Sequence, residues 1–442
     1  MKKIHNTNIP PAIIKFLANY LQGRKAYTTY NNKTSKQQQF KTGVPQGGVL
    51  SPVLFNIYTS DIPTPPSTVK LYSYADDLTT LSSHPNIETI QQNIQPYLDK
   101  LFTWTKENDL QLNASKSTST LFTPDSTEYN TQLHLTINNT LIPTVKHPKI
   151  LGLTFDPKLT YNEHVKITKE KARKTTNVLK ALTSTKWGKQ KETIVATYKA
   201  ITQPILEYAS TIWSPSSKDT NIQKLQTVQN SALRIATGCT ADTNAQHLHE
   251  ESNILPLQQH LKLHASQLRQ KAQLTEHTLH HMTTQTRSLR QQKPTTFDNN
   301  QYTTNMDTPP QNTTGETIKT NMKTIHTQIV QNYLQDIQPN KVLNSTALTI
   351  SPTEQTLSRQ TRRTLAQLRT NKSPLLLSYL HNINPSTYPS SLCPLCKTEE
   401  HTTSHLFACN KIPTTLTTSH LWTNPIAVGG LLALWDQRLK LA

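Results

Sequence analysis

The chain is poor in several residue types, and each shortage excludes a class of protein. Only four cysteines occur in 442 residues, too few for a disulfide-rich secreted scaffold. Apolar residues make up 34% of the chain, below the roughly 45–50% of ordinary globular domains, so we expect less ordered core than the length allows. No run approaches the roughly 18 apolar residues of a membrane-spanning helix, and the first residues lack the apolar stretch of a signal peptide. We therefore expect an intracellular, soluble protein with no membrane partner.

Acidic residues are scarce relative to basic ones. The chain has 27 Asp and Glu against 46 Lys and Arg, which gives a formal net charge of +19. Such an excess indicates a polyanionic partner, most simply nucleic acid. The length permits two or three domains.

Glycine is scarce as well, and its placement is informative. Gly43, Gly47 and Gly48, three of only ten glycines in the chain, lie just before an apolar run at residues 50–58. Glycines at a turn let the backbone approach a ligand closely, and we predict that the apolar run is a buried helix. Taken alone, this pattern is also that of an ordinary turn before a helix.

Two adjacent carboxylates, Asp76 and Asp77, interrupt a segment that alternates apolar and polar residues from 69 to 83. The alternation predicts a β-hairpin with the Asp pair at its tip. Two unpaired anions in a half-buried strand segment would be costly. A Mg²⁺ ion removes that cost, because it is held by one or two carboxylates plus substrate phosphates. By itself, an Asp-Asp pair is more typical of an exposed acidic turn than of a metal site.

The two segments together resemble a known family. Motifs B and C of reverse transcriptases resemble the stretches Gly43-Val-Pro-Gln-Gly-Gly-Val-Leu-Ser-Pro52 and Tyr74-Ala-Asp-Asp77. The residues of the first stretch are similar to those of non-LTR (LINE-type, jockey-like) retrotransposons. The resemblance implies an RNA-directed DNA polymerase, which transfers nucleotides to a DNA primer on an RNA template. It also implies two Mg²⁺ ions about 4 Å apart, no small-molecule cofactor, and a location in the nucleus and cytoplasm.

Site residues follow from the same resemblance. Asp76 is expected to be the principal metal ligand, with Asp77 assisting. Residues 109–122 resemble motif D, with Lys116 at the position of the basic residue that helps to protonate pyrophosphate; a solvated surface lysine is the alternative. The expected catalytic residues are thus Asp76, Asp77 and Lys116, and the expected substrate-binding residues are Gln46, Gly47, Gly48, Tyr74 and Ala75.

Further elements follow from apolar periodicity and turn residues. Strands are predicted at 26–30, before a hairpin turn at 31–33, and within 133–160. In that second region Lys149-Ile-Leu-Gly-Leu153 resembles motif E, and Gly152 is expected within a strand where backbone approaches closely. We predict helices at 10–21, 86–107, 163–187, 194–213 and 222–236, and several helices between 318 and 380.

Basic residues concentrate on two of the predicted helical segments. The segment 163–187 is either a solvated face or a surface that tracks template–primer phosphates. It carries Lys166, Lys169, Lys171, Arg173, Lys174, Lys180 and Lys186. The segment 357–380 carries Arg359, Arg362, Arg363, Arg369 and Lys372.

The family's first metal-binding Asp, in motif A, has no counterpart in this sequence. The resemblance therefore implies a truncated copy or a partial gene model, and we expect the chain as given to be inactive. The alternative is a non-catalytic nucleic-acid-binding remnant that uses the basic helices and the C-terminal cysteines. A viral RNA-directed RNA polymerase is disfavoured, because those enzymes usually place Gly before the Asp pair.

Three of the four cysteines cluster near the C-terminus. Cys393-x₂-Cys396 is followed by His405-x₃-Cys409, and a Cys-x₂-Cys turn directs two thiolates at one tetrahedral centre. His401 competes with His405, which we prefer for its spacing to Cys409. The cluster resembles a CCHC zinc knuckle, which implies Zn²⁺ and single-stranded nucleic-acid binding. Because so small a knuckle has little core, we expect the metal to supply much of its folding energy.

These expectations combine into an α+β fold: a partial reverse-transcriptase palm, a helical thumb, a disordered linker and a small zinc knuckle. The linker follows from a composition rich in Thr, Gln, Asn and Pro and poor in apolar residues. The remaining cysteine, Cys239, is expected to be a small core residue. The predicted segments are 1–160 (palm), 161–275 (thumb), 276–320 (linker), 321–385 (basic helices) and 386–442 (knuckle and tail).

Overall fold

The computed structural model has a mixed α and β composition, as predicted. It describes residues 2–5, 8–40, 42–183, 188–272, 278–279 and 315–441. The chain separates into two compact units, 1–148 and 149–442, and each is considered by itself. The finer division into five segments stays a prediction.

The first unit combines short hairpins with helices. Its helices are α1 (Lys2–His5), α2 (Pro11–Leu21), α3 (Ser51–Tyr58) and α4 (Ile87–Glu107), with a short 3₁₀ turn at Ser126–Asn130, and its strands are β1 (Lys25–Ala26), β2 (Thr29–Tyr30), β3 (Lys33–Thr34), β4 (Gln38–Gln39), β5 (Val69–Tyr74), β6 (Asp77–Ser82), β7 (Thr136–Ile137) and β8 (Thr140–Leu141). The hairpin turn predicted at 31–33 is confirmed: β2 and β3 pair around Asn31 and Asn32, which have φ of 47° and 61°. Asparagine tolerates this left-handed conformation.

The central hairpin of this unit packs on a long helix. Strands β5 and β6 are antiparallel and fully paired. Asn86 caps the start of α4, and its side chain accepts a hydrogen bond from Glu88 N at 2.7 Å. Val69, Tyr97 and Leu101 form the centre of the shared core. The amphipathic helix predicted from 86 to 107 is confirmed, with Pro96 inside it.

The helix predicted after the glycine turn forms, but it is not buried. Only Ser51 and Leu54 of α3 are buried, whereas Val53 is 56% exposed. Leu54 packs with Ile4 and Leu17 in a small core of its own. That core contains too few apolar side chains to cover the other faces of α3. Further along this unit, Ser119 makes an isolated β-bridge to Thr144.

The second unit is mainly helical. It begins with the hairpin β9 (Lys149–Ile150) and β10 (Leu153–Thr154), and its helices up to residue 272 are α5 (Asn162–Ala181), α6 (Lys191–Thr197), α7 (Gln203–Glu207), α8 (Ser210–Trp213), α9 (Asp219–Thr237), α10 (Ala245–Ser252) and α11 (Leu257–Ala272). Gly152 lies in the hairpin turn with φ of 83°, rather than within a strand. A Cβ added there would lie 3.2 Å from the Tyr208 ring, so the expected close approach is present.

The helix predicted from 194 to 213 is broken into three α segments. A π-helical turn at Tyr198–Thr202 joins α6 to α7, just before Pro204, which lacks the N–H needed to continue the α pattern. A second break falls at Ala209, whose φ of 49° is left-handed. The helix predicted over 222–236 is confirmed within α9, and Cys239 is buried as expected.

The remaining elements belong to the same unit. They are α12 (Gly315–Gln335), a 3₁₀ turn (Pro352–Thr356), α13 (Arg359–Leu368), α14 (Leu377–Ile383), α15 (Thr403–Ala408), α16 (His420–Thr423) and α17 (Pro425–Leu441). The helices expected between 318 and 380 are thus confirmed. Helix α12 begins inside the predicted linker, and nearly all the rest of that linker lies outside the described residues. No helix in the described ranges is long and apolar enough to cross a membrane.

Candidate functional site

The two adjacent aspartates lie at the tip of the central hairpin. Tyr74 pairs with Asp77, so Ala75 and Asp76 form a two-residue turn, and Ala75 has φ of 50°. Asp76 and Asp77 are exposed, and Tyr74 is 67% exposed. The prediction that the Asp pair lies at the tip of a hairpin is confirmed. The prediction that the pair is half-buried is wrong, because the hairpin packs against α4 through apolar side chains further along the strands.

Neither carboxylate of this turn is neutralised by the protein. Within the described residues, Asp76 and Asp77 form no ion pair or side-chain hydrogen bond, and no third Asp, Glu, His or Cys joins them in a metal-binding group. The pair therefore presents two exposed anions side by side. Such a pair suits a cation that takes its other ligands from a substrate.

The glycine turn is shaped by close contacts. Gly47 has φ of 79°, and a Cβ on Gly48 would lie 2.7 Å from Ser51 Oγ and 2.8 Å from the Tyr20 hydroxyl. Ser51 Oγ donates to Pro45 O at 2.6 Å, which holds the turn against the start of α3. A residue larger than glycine at position 48 would have to displace these two side chains.

The expected substrate-binding residues do not form one connected group. Gln46 is exposed, and in the described part of the chain no hydrogen bond joins its turn to the Tyr74–Asp77 turn. Lys116 is also exposed, with its backbone N–H donating to Asn113 Oδ1 at 3.2 Å. Its ammonium group makes no contact with Asp76 or Asp77 within the described residues.

The C-terminal cysteines and His405 do converge. One ligand atom from each of Cys393, Cys396, His405 and Cys409 lies within 4.8 Å of the others. Cys393 Sγ is 4.0 Å from Cys409 Sγ, and Cys396 Sγ is 3.3 Å from His405 Nε2. Two sulfurs bound tetrahedrally to one zinc ion lie about 3.8 Å apart. The donor set and its spacing therefore fit zinc.

His405 belongs to this group and His401 does not. His401 is buried against Trp435, with ring centroids 5.4 Å apart, and its Nδ1 accepts from Leu377 N at 3.1 Å. His405 lies in the first turn of α15, where its backbone N–H donates to the Thr402 side chain at 3.2 Å. His405, preferred for its spacing to Cys409, is the histidine that lies beside the three thiols, and its role as a zinc ligand stays a prediction.

The environment of the thiols differs from one side to the other. Thr398 Oγ1 donates to Cys396 Sγ at 3.3 Å, which lowers the pKa of Cys396 to about 6. Burial raises the pKa of Cys393 to about 11. Of these two thiols, Cys396 thus more readily becomes a thiolate, the form that binds metal.

The metal-binding group is part of a larger core rather than an isolated knuckle. Cys393 and Cys409 pack with Leu368, Trp422 and Trp435. Trp435 Nε1 donates to Leu406 O at 3.2 Å. Hydrophobic side chains therefore pack around the group, and the expectation that the metal supplies much of the folding energy stays a prediction.

Sequence reasoning missed a buried ion-pair network in the same unit. Arg369 is fully buried; its Nη1 donates to both carboxylate oxygens of Glu251 at 3.0 Å, and its Nη2 donates to Glu354. Lys191 Nζ donates to Glu251 at 3.0 Å. Burial alone would raise the pKa of Glu251, but Arg369 and Lys191 lower it below its usual value. No local signal separates this Arg from surface arginines, because Glu251 lies 118 residues away along the chain.

Several arginines of the segment 357–380 belong to this network or donate to backbone carbonyls, so they do not contribute to the basic surface expected there. Arg362 is also buried and pairs with Glu192 and Glu354. Arg359 donates to the carbonyls of residues 189 and 235 at 2.8 and 3.0 Å. The segment is basic in composition, but most of its cationic side chains form ion pairs or hydrogen bonds within the second unit.

Helix α5, in contrast, keeps free cations. Lys166 pairs with Glu163 at 3.6 Å and Arg173 with Glu170 at 3.2 Å. The others form no ion pair within the described residues; they are Lys169, Lys171, Lys174 and Lys180. Lys186 lies outside those residues. A solvent-facing row of unpaired ammonium groups suits contact with phosphates.

The comparisons with known proteins agree with this arrangement. Residues 1–155 match the family described as reverse transcriptase (RNA-dependent DNA polymerase). The chain is 28% identical over 257 residues to a probable RNA-directed DNA polymerase from transposon BS of Drosophila melanogaster, which covers 57% of this chain and 28% of that protein. It is 27% identical over 237 residues to the RNA-directed DNA polymerase from mobile element jockey of Drosophila funebris, which covers 52% of this chain and 25% of that protein.

These matches indicate the class of protein to which the chain is similar. Residues 1–155 match the reverse transcriptase family, and the chain is similar over 57% and 52% of its length to the RNA-directed DNA polymerases of transposon BS and mobile element jockey. The matched stretches span less than a third of the length of these relatives, 28% and 25%.

Proposed function

We propose that the Tyr74–Asp77 turn is the metal-binding turn of an RNA-directed DNA polymerase, with an RNA template and a DNA primer as partners. The observation that carries the proposal is the pair of exposed, uncompensated carboxylates at a two-residue hairpin tip, in a segment that matches reverse transcriptases. Asp76 is the principal ligand and Asp77 assists. Mg²⁺, when bound, stabilises charge on the attacking and leaving oxygens.

Other residues of the first unit have supporting roles in this proposal. Tyr74 and Ala75 line the primer end. Gln46, Gly47 and Gly48 shape the pocket for the incoming nucleotide, which needs backbone approach without a side chain at position 48. Lys116, which is exposed and has no anionic partner among the described residues, donates a proton to the pyrophosphate leaving group. This function places the protein in the nucleus and cytoplasm.

We further propose that the chain does not complete the catalytic centre by itself. A two-ion centre needs more carboxylate ligands than one adjacent pair supplies. In the described part of the chain, no third ligand joins Asp76 and Asp77. A further carboxylate would have to come from elsewhere.

A second candidate function is nucleic-acid binding without catalysis. Two observations favour it: the unpaired lysines of α5, and a Cys₃His group that fits zinc. Binding of this kind depends on salt and not on Asp76. It requires the α5 cations and the zinc module rather than the buried arginines of 357–380.

Primer extension distinguishes these proposals. The zinc-loaded chain is incubated with a primed RNA template, Mg²⁺ and dNTPs, beside its Asp76→Ala variant and an Asp99→Ala control on the exposed face of α4. We expect all three forms to bind the template and none to extend the primer. Extension that is lost only in Asp76→Ala would confirm the polymerase and refute the incomplete centre. Failure of all three forms to bind template–primer would refute both functions.

A further inference from the structure

Helix α13 belongs to two hydrophobic cores of the second unit. Its Ala366 packs with Leu248 in the core formed mainly by helices α5 to α11. Its Leu365 and Leu368 pack with Cys393 in the core that surrounds the Cys₃His group. These three side chains of α13 are at most 1% exposed. A single helix therefore joins the two cores.

The end of α13 also meets the start of α15. Thr403, the first residue of α15, is fully buried. Its backbone N–H donates to Asn371 Oδ1 at 2.8 Å, and its hydroxyl donates to Leu368 O at 2.9 Å. The first N–H groups and the last C=O groups of a helix have no partner within that helix. The residues at each helix end thus supply a hydrogen-bond partner for the other.

The stretch that makes these contacts lies between residues of the metal-binding group. Thr403 follows Cys396 and precedes His405 in the chain. In the same loop, His401 Nδ1 accepts from Leu377 N at 3.1 Å. The loop that carries the metal-binding side chains is therefore attached by hydrogen bonds to the end of α13 and to the start of α14.

On its other side, the end of α13 is attached to α9 and α10. Arg369 Nη1 donates to both carboxylate oxygens of Glu251 in α10 at 3.0 Å. Gln367 Nε2 donates at 2.8 Å to the carbonyl of Gly238, the residue that follows α9. Residues 367–371, called the junction below, thus contact the metal-binding loop on one side and α9 and α10 on the other.

Metal binding would restrain this loop. A bound zinc ion fixes its four ligands relative to one another, and its binding contributes directly to the free energy of folding. The loop 396–405 has a residue of the metal-binding group at each end, so metal binding restrains the stretch between them. Segments that share contacts open and close as cooperative units. A restraint on the loop therefore acts through the junction on α9 and α10.

We propose that metal binding at the Cys₃His group stabilises α10 through Thr403, the junction and Arg369. Thr403 and Arg369 are positioning residues, because neither belongs to the metal-binding group. The inference goes beyond the functions proposed above, since it gives the metal a role in the order of helices outside its own core. Such a coupling is reciprocal, so the contacts of the junction in turn raise the affinity for the metal.

Hydrogen–deuterium exchange of the full chain tests this proposal. The zinc-loaded chain is compared with the same chain after a chelator has removed zinc under reducing conditions. Mass spectrometry follows peptides that cover α15, α10 and, as a reference in the first unit, α4. We expect zinc removal to speed exchange in α15 and α10 and to leave α4 unchanged. Backbone exchange requires neither polymerase activity nor nucleic acid, so the result is independent of the proposed function.

A variant of the junction separates the coupling from a general loss of stability. Thr403→Val combined with Asn371→Ala removes both hydrogen bonds between the helix ends and keeps all four side chains of the metal-binding group. We expect this variant to bind zinc more weakly, and its exchange in α10 to be the same with and without zinc. The matched control is Ser404→Ala, because Ser404 is exposed and forms no hydrogen bond to α13 within the described residues. It should behave as the wild type does.

Three results would overturn the proposal. The first is exchange in α10 of the wild type that zinc removal leaves unchanged, whatever happens in α15. The second is an equal rise in α4, which would indicate general unfolding. The third is a double variant whose α10 responds to zinc as strongly as that of the wild type. The first two comparisons use the wild type alone, so they do not depend on whether a variant folds.

Discussion

Glu399 and His405 form a hydrogen bond in which imidazole Nδ1 donates to carboxylate Oε2 over 2.8 Å. This bond fixes the ring with Nε2 turned toward Cys396, so Glu399 orients the histidine of the Cys₃His group without belonging to the group itself. Removal of such a partner lowers metal affinity by about 10- to 100-fold. We therefore predict that Glu399→Gln weakens zinc binding by about that factor, measured by competition with a chelator.

The control for this variant is Glu400→Gln, the neighbouring residue, whose side chain is exposed and makes no contact with His405. It should bind zinc as tightly as the wild type. Equal affinity in the two variants would contradict the orienting role of Glu399.

The hairpin and the zinc ligands could be predicted from sequence because both depend on local pattern. Alternating residues around Asp76 define the strands and their tip, and the spacing of Cys393, Cys396, His405 and Cys409 defines the metal group. Whether a helix is buried depends on how much apolar surface the rest of the chain offers. That is why neither the exposure of α3 nor the exposure of the tip at Asp76 follows from the sequence.

Long-range partners are also beyond sequence reasoning. Arg369 has the local sequence of a basic surface, but Glu251 and Glu354, from two separate segments, pair with it in the core. The break in the helix predicted over 194–213 has a local cause. Pro204 is visible in the sequence, and it follows directly after the π-helical turn.

We predict that the buried ion pairs of Arg369 with Glu251 and Glu354 stabilise the second unit. Arg369→Met leaves Glu251 and Glu354 with a buried, partly unpaired charge, which costs about 3–5 kcal/mol. We expect the free energy of unfolding of the zinc-loaded chain to fall by that amount, measured by urea titration with tryptophan fluorescence. Arg363→Met, on the same segment but exposed, should change it by less than about 0.5 kcal/mol. Similar decreases in both variants would show that the network does not stabilise the unit.

We predict that binding to single-stranded RNA depends on the lysines of α5 that form no ion pair within the described residues. Replacing Lys171, Lys174 and Lys180 with Gln removes three exposed, unpaired cations. Each cation that no longer neutralises a phosphate reduces the slope of log K against log salt by about 0.7 for a single strand. We expect the slope for single-stranded RNA to fall by about 2 in the triple variant.

The matched control on α5 is Lys166→Gln, because Lys166 already pairs with Glu163. It should change the slope much less than any of the three unpaired lysines. An unchanged slope in the triple variant would refute α5 as the phosphate-binding face.

Buried histidines predict loss of stability in acid. His249 Nδ1 lies 2.8 Å from Ile254 O, and Nε2 lies 3.2 Å from Gln226 Nε2. Burial lowers the pKa of His249 to about 4, against about 6.5 in an unfolded chain. Between these values the unfolded state binds more protons. The contribution of His249 to the free energy of unfolding is therefore fully present above about pH 6.5 and falls as the pH drops toward 4.

The measurement is the pH dependence of unfolding for wild type and His249→Asn. One such group contributes a slope of about 1.4 kcal/mol per pH unit, and the variant should lose up to that much of the total slope. His84→Asn, an exposed histidine, should leave the slope unchanged. An unaltered slope in His249→Asn would show that this histidine is not buried in its neutral form.

We propose above that the exposed Asp76-Asp77 turn holds a divalent cation together with nucleotide phosphates. The most direct measurement is Mn²⁺ binding by electron paramagnetic resonance, with the chain on a primed RNA template and a matching dNTP. We predict a protein-bound Mn²⁺ signal that Asp76→Asn, Asp77→Asn abolishes, while template binding remains. The same signal in that variant would contradict the claim, because the cation would then be held by the nucleotide alone.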